Sequence, residues 1–349
     1  MNNLRTTGDQ YRAPFNFDPK DKRFDIFVDH PFEFFPAPKI EIVRNARISN
    51  NSVVFKFFKI FRESCIGEEN YKKYQNNFLR FYFKFIFPKF NFSRKRFLLI
   101  TDEWTSNYYH WHIMALGRLV VLQDAGLIKN SFLFLPKKYQ NYGMVMPSLK
   151  AFGIKENQVV FLRRKSNIKV AEVPIVAVSQ HHVGVYRKIC ETLRQNASLI
   201  ASDVDFGDKI YISREGQRSR YVENESEVVA LLESYGFKKI RAEKFSYPEQ
   251  VAISSKAKYL ISPHGAGLTN MLFMKKGNYV LELANKSKAV KPVTDYYRMA
   301  EIIGVNYLYQ ECEMGEDTKS ITSDSHEGSL HVDLAELEKN LKLINILPS

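Results

Sequence analysis

The sequence predicts an α/β protein of two domains, and three observations carry that reading. The chain is 349 residues long, more than one ordinary hydrophobic core organises. From residue 96 onward, short apolar runs of strand length alternate with amphipathic stretches of helix length, the grammar of parallel strands crossed by helices. Apolar residues make up 45% of the chain, while Gly and Pro occupy only 16 and 13 positions with no fixed-period repeat. That composition excludes wholesale disorder, collagen-like chains and solenoids.

Residues 1 to about 95 read as a basic, aromatic-rich extension with strands. Residues 41–100 hold thirteen Lys/Arg against four Asp/Glu, and twelve of the 27 Phe. Within them Phe81, Phe83, Phe85 and Phe87 alternate with Tyr82, Lys84 and Ile86, the two-residue period of a strand buried on one face. Such a segment is either a sheet with a solvated Lys-rich face or a surface that meets anionic lipid or stacked bases. Next come a strand at 96–101, a helix at 108–125, a strand at 132–135, a helix toward Phe152, a strand at 159–162 and a helix at 183–200. Phe206-Gly207 is the boundary, giving domains 1–205 and 206–349.

The second half is the clearest. Lys209 to Ser213 reads as a strand, and Asn224 with Glu227 as a capping box opening a helix that stops at Gly236. Phe237 to Arg241 is the next strand. Ser246, Pro248 and Glu249 open another helix with a cap, an early proline and an N3 carboxylate. Strands at 259–262 and 279–283 flank the loop Pro263 to Gly267 and a short helix, and Asp333 with Glu336 caps a final helix. This β-α-β-α-β-α-β series implies a doubly wound sheet with its ligand beyond the C-terminal strand ends.

The net charge of +13 points to polyanionic partners, without choosing among nucleic acid, lipid and nucleotide phosphate. Helix-turn-helix, zinc-finger and RRM signatures are missing, so nucleic acid is not the expected partner. Cys65, Cys190 and Cys312 are odd in number and far apart, which fits a reducing compartment. A polar start and the lack of an apolar run of about 18 residues lead us to expect a cytoplasmic protein, at most peripheral at the inner face of a membrane.

Two features carry chemistry. Ser262-Pro263-His264-Gly265-Ala266-Gly267-Leu268-Thr269-Asn270 places small residues between a strand end and a helix start, where exposed N–H groups favour a diphosphate; a bare tight turn is the alternative. Ser213-Arg214 ends another strand, with Arg218 and Arg220 close behind. Loops after two strands of an open sheet converge on one crevice, so these arginines either fork to phosphate oxygens or form a solvated cluster.

Tyr211-Ile212-Ser213-Arg214, Arg220, Asn224-Glu225, Gly236-Phe237, Glu249-Gln250, His264 to Asn270, Phe273 and Glu282-Leu283, with Asn107-Tyr108-Tyr109-His110-Trp111 upstream, resemble the family 61 glycosyltransferases of the bacterial surface-polysaccharide type. The resemblance implies a GT-B arrangement of two Rossmann-like domains facing across a cleft, with acceptor bound in the N-terminal one. The donor, a nucleotide sugar such as a UDP-sugar, binds in the C-terminal one, and the anomeric centre inverts. It also implies a glycan or lipid-linked acceptor in surface-polysaccharide synthesis. The donor site is then Ser213, Arg214, Arg220, His264, Gly265, Ala266, Gly267, Asn270 and Glu282, the last set to hold ribose hydroxyls. Fixed donors neutralise the leaving diphosphate, so no metal or other cofactor is expected. An inverting transfer needs a base. The acidic residue usual four positions after the signature histidine is Met114 here, leaving His110, His112 and Asp102 as candidates, each with a purely structural alternative.

Three further patterns are set aside. Asp203-Val204-Asp205 lies in a polar connection, His181-His182 lacks a third ligand, and the esterase-like His264 loop has no Gly-x-Ser-x-Gly partner. The rival reading from another class is a non-catalytic basic module that binds nucleic acid or nucleotide.

Overall fold

The computed structural model describes residues 13–28, 37–57, 59–65, 67–85, 87–88, 90–177, 182–285, 294–315 and 328–346. Packing divides the chain into two compact units, one spanning residues 35–193 and the other combining the N-terminal residues with 194–349. Both are α/β.

In the first unit seven described strands form one mixed sheet: β1 (Lys39–Ser49), β2 (Val54–Lys56), β3 (Lys59–Ile60), β4 (Phe90–Leu99), β5 (Ser131–Pro136), β6 (Val159–Leu162) and β7 (Asn167–Ala177), in the order β3-β2-β1-β7-β4-β5-β6. β4, β5 and β6 are mutually parallel, and β1 runs antiparallel along β7 from Lys39↔Ala177 to Ser49↔Asn167. The strands read from the apolar runs at 96–101, 132–135 and 159–162 are present, the first two with shifted ends and the third as read. β1 mixes charged and apolar residues and has no such run, while the apolar end of β7, Val173 to Ala177, is interrupted by Pro174. They are strands because each supplies the other's ladder, with Val43, Ala46, Ile48, Val170, Val173 and Ile175 buried in the core.

The phenylalanine run is a correction. Residues Phe78–Lys84 form a helix, not a strand. Phe81 and Phe85 are buried four residues apart, packed on Phe55 with ring centroids 5.2 and 6.3 Å away, whereas Phe83 and Phe87 are exposed. Every second position being aromatic satisfies a period of two, but the spacing of four between Phe81 and Phe85 equally satisfies a helix face. The hairpin core of Val53, Phe55 and Ile60 selects the helix. Ile86 lies outside the described residues.

The second unit carries β8 (Lys209–Ile212), β9 (Lys238–Ile240), β10 (Tyr259–Pro263), β11 (Tyr279–Asn285), β12 (Asn306–Met314) and β13 (Leu330–His331), ordered β13-β12-β11-β10-β8-β9. All pair in parallel except β13. Counted from β8, the parallel part has the order 2-1-3-4-5, a doubly wound sheet whose switch point lies between β8 and β10. The loops leaving those two strands carry Arg214 and His264.

Local signals explain most of the helix ends. Ser246 accepts the Glu249 N–H, and Glu249 accepts the Ser246 N–H at 2.7 Å, closing the expected box on the helix Tyr247–Lys256. Asp333 caps Leu334–Leu343 through the N–H groups of Ala335 and Glu336. Asn224 departs from expectation. Its side chain makes no cap; it accepts the Val332 N–H and donates to the Val332 carbonyl at 3.0 and 2.9 Å, tying the helix start to the C-terminal segment.

The N-terminal segment also departs from the expected first domain of residues 1–205. Residues 13–28 belong to the second unit. The Phe15 N–H donates to the Tyr307 carbonyl, Asn16 bonds Tyr309 and Asn340, and Arg23 pairs with Glu336 at 2.7 Å. Phe24 and Phe27 are buried there, with Phe27 4.8 Å from the Tyr297 ring. No short-range pattern states which sheet a terminal segment will cover.

Candidate active site

The switch point of the second sheet gathers the charged residues of that unit. β8 ends at Ile212, and Ser213 fixes the turn that follows by donating to Glu225 at 2.6 Å and accepting the Glu215 N–H. Ser213 therefore serves the turn itself. Arg214 follows, half-buried, its Nε donating to the Ser219 carbonyl at 3.2 Å. Burial, and then the neighbouring Arg220, pull its pKa below the ordinary guanidinium value, though it stays a cation. Arg220 takes a positive φ of 58°, and its buried Nε has no hydrogen-bond partner among the described residues. Among the described residues no carboxylate is bound to either of these two cations, an arrangement that an anion completes.

β10 ends at Pro263, and the chain enters a helical turn at Ala266–Phe273 through Gly265. Among the described residues the N–H groups of Gly265, Ala266 and Gly267 donate to no acceptor, as expected where a strand hands over to a helix start. Both glycines are required by close approach. A Cβ on Gly265 would overlap the Arg214 guanidinium, and Gly265 holds φ 157° with ψ 178°, a corner that side-chain-bearing residues avoid. A Cβ on Gly267 would stand 3.1 Å from Ile212, so this glycine lets the turn pack on β8. The arginine loop and the glycine loop are in contact, and Asn270 is buried within the same helical turn, its amide 3.4 Å from Gln250.

His264 is half-buried, with its ring 5.2 Å from Tyr296. Its Nδ1 is bonded to Glu282 Oε1, and Glu282 Oε2 accepts the Tyr307 hydroxyl at 2.7 Å. Glu282 is only 1% exposed. The sequence pointed to ribose contact for this carboxylate; in the structure both oxygens already accept internal donors. Its partnership fixes the ring of His264, leaving Nε2 as the atom turned away from Glu282. Burial, reinforced by Glu282, pushes the Tyr307 hydroxyl pKa well up, so it remains a donor.

The signature segment lies in the first unit. Asn107 caps it by accepting the Tyr109 N–H, and residues Trp111–Ala115 form a π-helical turn inside the helix running to Asp124, a distortion frequent at functional sites. Trp111 is fully buried, its indole N–H donating to Ser148 at 2.9 Å. His112 is 0% exposed, its Nδ1–H donates to the Tyr108 carbonyl at 2.8 Å, and burial holds its pKa down at about 4. Asp102 is buried too. Oδ2 takes Arg118 at 2.5 Å, and Oδ1 takes the N–H groups of Trp104 and Thr105. His110 is half-buried beside Trp104, with Nδ1 3.1 Å from Met114 Sδ. Of the three candidate bases, it alone is neither fully enclosed nor locked in an ion pair.

The profile of the Glycosyltransferase 61 family matches residues 108–281, from the signature helix into β11, ending one residue short of Glu282. The chain belongs to this family. A relative, the EGF domain-specific O-linked N-acetylglucosamine transferase of Drosophila melanogaster, is 34% identical over 104 residues. That match covers 28% of this chain and 19% of the relative, so the chain matches about a fifth of its length. The family is thus established on the segment holding both switch-point loops.

Among the described residues no group of three or more His, Cys, Asp and Glu is placed to hold a metal ion. Asp205, in an exposed connection, accepts the Gly207 N–H and pairs with Lys256 at the end of the helix Tyr247–Lys256. His182 accepts the Val185 N–H at 3.4 Å, while His181 lies outside the described residues. No described helix is long and apolar enough to cross a membrane. Tyr296 and Tyr307 escaped the sequence reading, because what distinguishes them is contact with His264 and Glu282 across the sheet rather than spacing along the chain.

Proposed function

We propose that this protein is an inverting, metal-independent transferase that moves a sugar from a nucleoside-diphosphate donor, a UDP-sugar, to a glycan or lipid-linked acceptor of a cell-surface polysaccharide. One observation carries the reading: Arg214 lies against Gly265, so forked cationic donors and unused N–H groups occupy one switch point. The acceptor oxygen attacks the anomeric carbon as its bond to the diphosphate breaks, and the departing electron pair collects on phosphate oxygens. Arg214 and Arg220 supply fixed positive charge there, and the loop N–H groups add donors. His110 takes the acceptor's hydroxyl proton. Glu282 acts through His264.

The acceptor side is read from surface chemistry. Phe57, Leu79, Phe83 and Phe87 are exposed within a subdomain rich in Lys and Arg, a combination suited to an anionic membrane face. The Drosophila relative's name makes UDP-N-acetylglucosamine the first donor to try. Met114 beside His110 favours a second reading, in which the chain binds nucleotide without transferring sugar.

The test is UDP binding in chelator-treated buffer, followed by turnover. UDP should raise the melting temperature, and His110→Ala should lower turnover by about a hundredfold or more with UDP affinity kept. Loss of UDP binding on adding chelator would end the metal-free reading. Parent-rate transfer by His110→Ala would remove His110 as base. Binding without transfer for every donor would leave the second reading.

A further inference from the structure

The first unit contains a cleft of about 580 Å³ that neither the family signature nor the switch-point loops account for. We infer that it binds the acceptor and that it selects a saccharide bearing a phosphate or carboxylate group. This inference rests on the glycosyltransferase reading above but uses different residues.

The cleft opens where β4, β5 and β6 end. Asp102 and Glu103 follow β4, Pro136 ends β5 with Lys137 and Lys138 behind it, and Leu162 ends β6 with Arg164 just beyond. Ligands of α/β sheets sit at such strand exits. The turn after β1 supplies the facing wall through Asn50, Asn51 and Ser52.

The lining offers two kinds of chemistry. The first suits hydroxyl groups. Asn50 donates to Asn51 at 2.9 Å, and its own Oδ1, covered from solvent, has no hydrogen-bond partner among the described residues, so a rotation of this lining amide would offer a sugar hydroxyl an acceptor with no internal bond to lose. Asn141 and the Tyr74–Glu103 pair, which share a hydrogen bond, add further donors and acceptors.

The second kind is positive charge. Lys137, Lys138 and Arg164 are all exposed and line the cleft, and Arg163 and Lys165 flank Arg164 on the same exposed turn. No described carboxylate forms an ion pair with any of the five. Of the two acidic lining residues, Asp102 is neutralised by Arg118. Three lining cations therefore face a single lining carboxylate outside the Arg118 pair, that of Glu103. A neutral glycan offers such a rim hydroxyl oxygens but no opposite charge. An anionic group at the mouth, with hydroxyls reaching Asn50 and Glu103 inside, satisfies both halves of the lining.

The test titrates the whole chain, held with saturating UDP, against glucose, glucose 6-phosphate and glucuronic acid at low salt, with binding followed by NMR. The phosphate or the carboxylate sugar, or both, should bind at least about tenfold more tightly than glucose, the step one charge-assisted contact supplies. The stronger of the two names the acidic group. Lys137→Glu with Arg164→Glu should erase the preference while UDP affinity stays at the parent value, and Asn50→Ala should weaken all three sugars alike. Equal binding of the three sugars, or a preference that survives the double charge reversal, overturns the inference. If the acidic sugars bind as expected but UDP does not, the cleft stands and the donor reading fails.

Discussion

Substituting Gly265 by Ala separates the two things this glycine does. The new Cβ would stand 3.3 Å from Arg214 Cζ and closer still to Nη1, so the guanidinium must leave the glycine loop. Because only the far end of a flexible side chain moves, the displacement itself adds little to the folding penalty. The backbone contributes more: alanine at φ 157° costs about 1–3 kcal/mol, which a domain stable by about 5–15 kcal/mol survives. Binding suffers further. Losing one charged donor to a phosphate removes about 1.5–3 kcal/mol, or roughly a 10- to 150-fold weaker UDP affinity. Calorimetric titration with UDP and urea unfolding should be run on Gly265→Ala, Arg214→Ala and the double variant. The two single losses should not add, since both act through one guanidinium. Undiminished UDP affinity in Gly265→Ala, or an equal Gly265→Ala penalty in the Arg214→Ala background, would refute the reasoning.

Four other substitutions examine separate parts of the molecule. Burial lowers the His112 pKa from 6.5 to about 4, so the unfolded chain takes up the extra proton. The associated stability is complete above about pH 6.5 and disappears as pH falls toward 4, by about 3 kcal/mol; urea midpoints of His112→Asn should fall less steeply over that window, and parallel curves would show that His112 is not the group responsible. Asp102→Ala strands Arg118, whose side chain is only 12% exposed, and should cost about 3–5 kcal/mol of stability; unchanged stability with transfer abolished would instead make Asp102 catalytic. Phe81→Ala should destabilise by about 3–5 kcal/mol. Phe83→Asp, at a side chain 67% exposed, should stay within about 0.5 kcal/mol yet reduce sedimentation with phosphatidylglycerol vesicles. Full vesicle binding by that variant would count against the membrane face.

Much of the second unit was legible because its signals are local. A Ser246–Glu249 box, a Gly at the end of a helix and a strand followed by small residues are each decided by neighbours a few positions away. The same holds for the glycine loop: the sequence alone placed His264 to Gly267 between a strand and a helix start. Ambiguity entered where two periods fit one run, as at Phe81 to Phe87, and where a polar side chain had a choice of partners. Asn224 was read as a cap for its own helix and instead holds Val332, far along the chain.

The sequence by itself determined the class of the fold, the family, and the loops that carry its charged donors, since each is written in short-range order. Tertiary structure decided what those residues do. It put Arg214 against Gly265, turned Glu282 toward His264 and Tyr307, enclosed His112, spent Asp102 on Arg118, and assembled a cleft from residues 50, 103, 138 and 164. The physical reason is that a side chain's role depends on which partner reaches it first in three dimensions, and strand order, which no local pattern encodes, selects that partner.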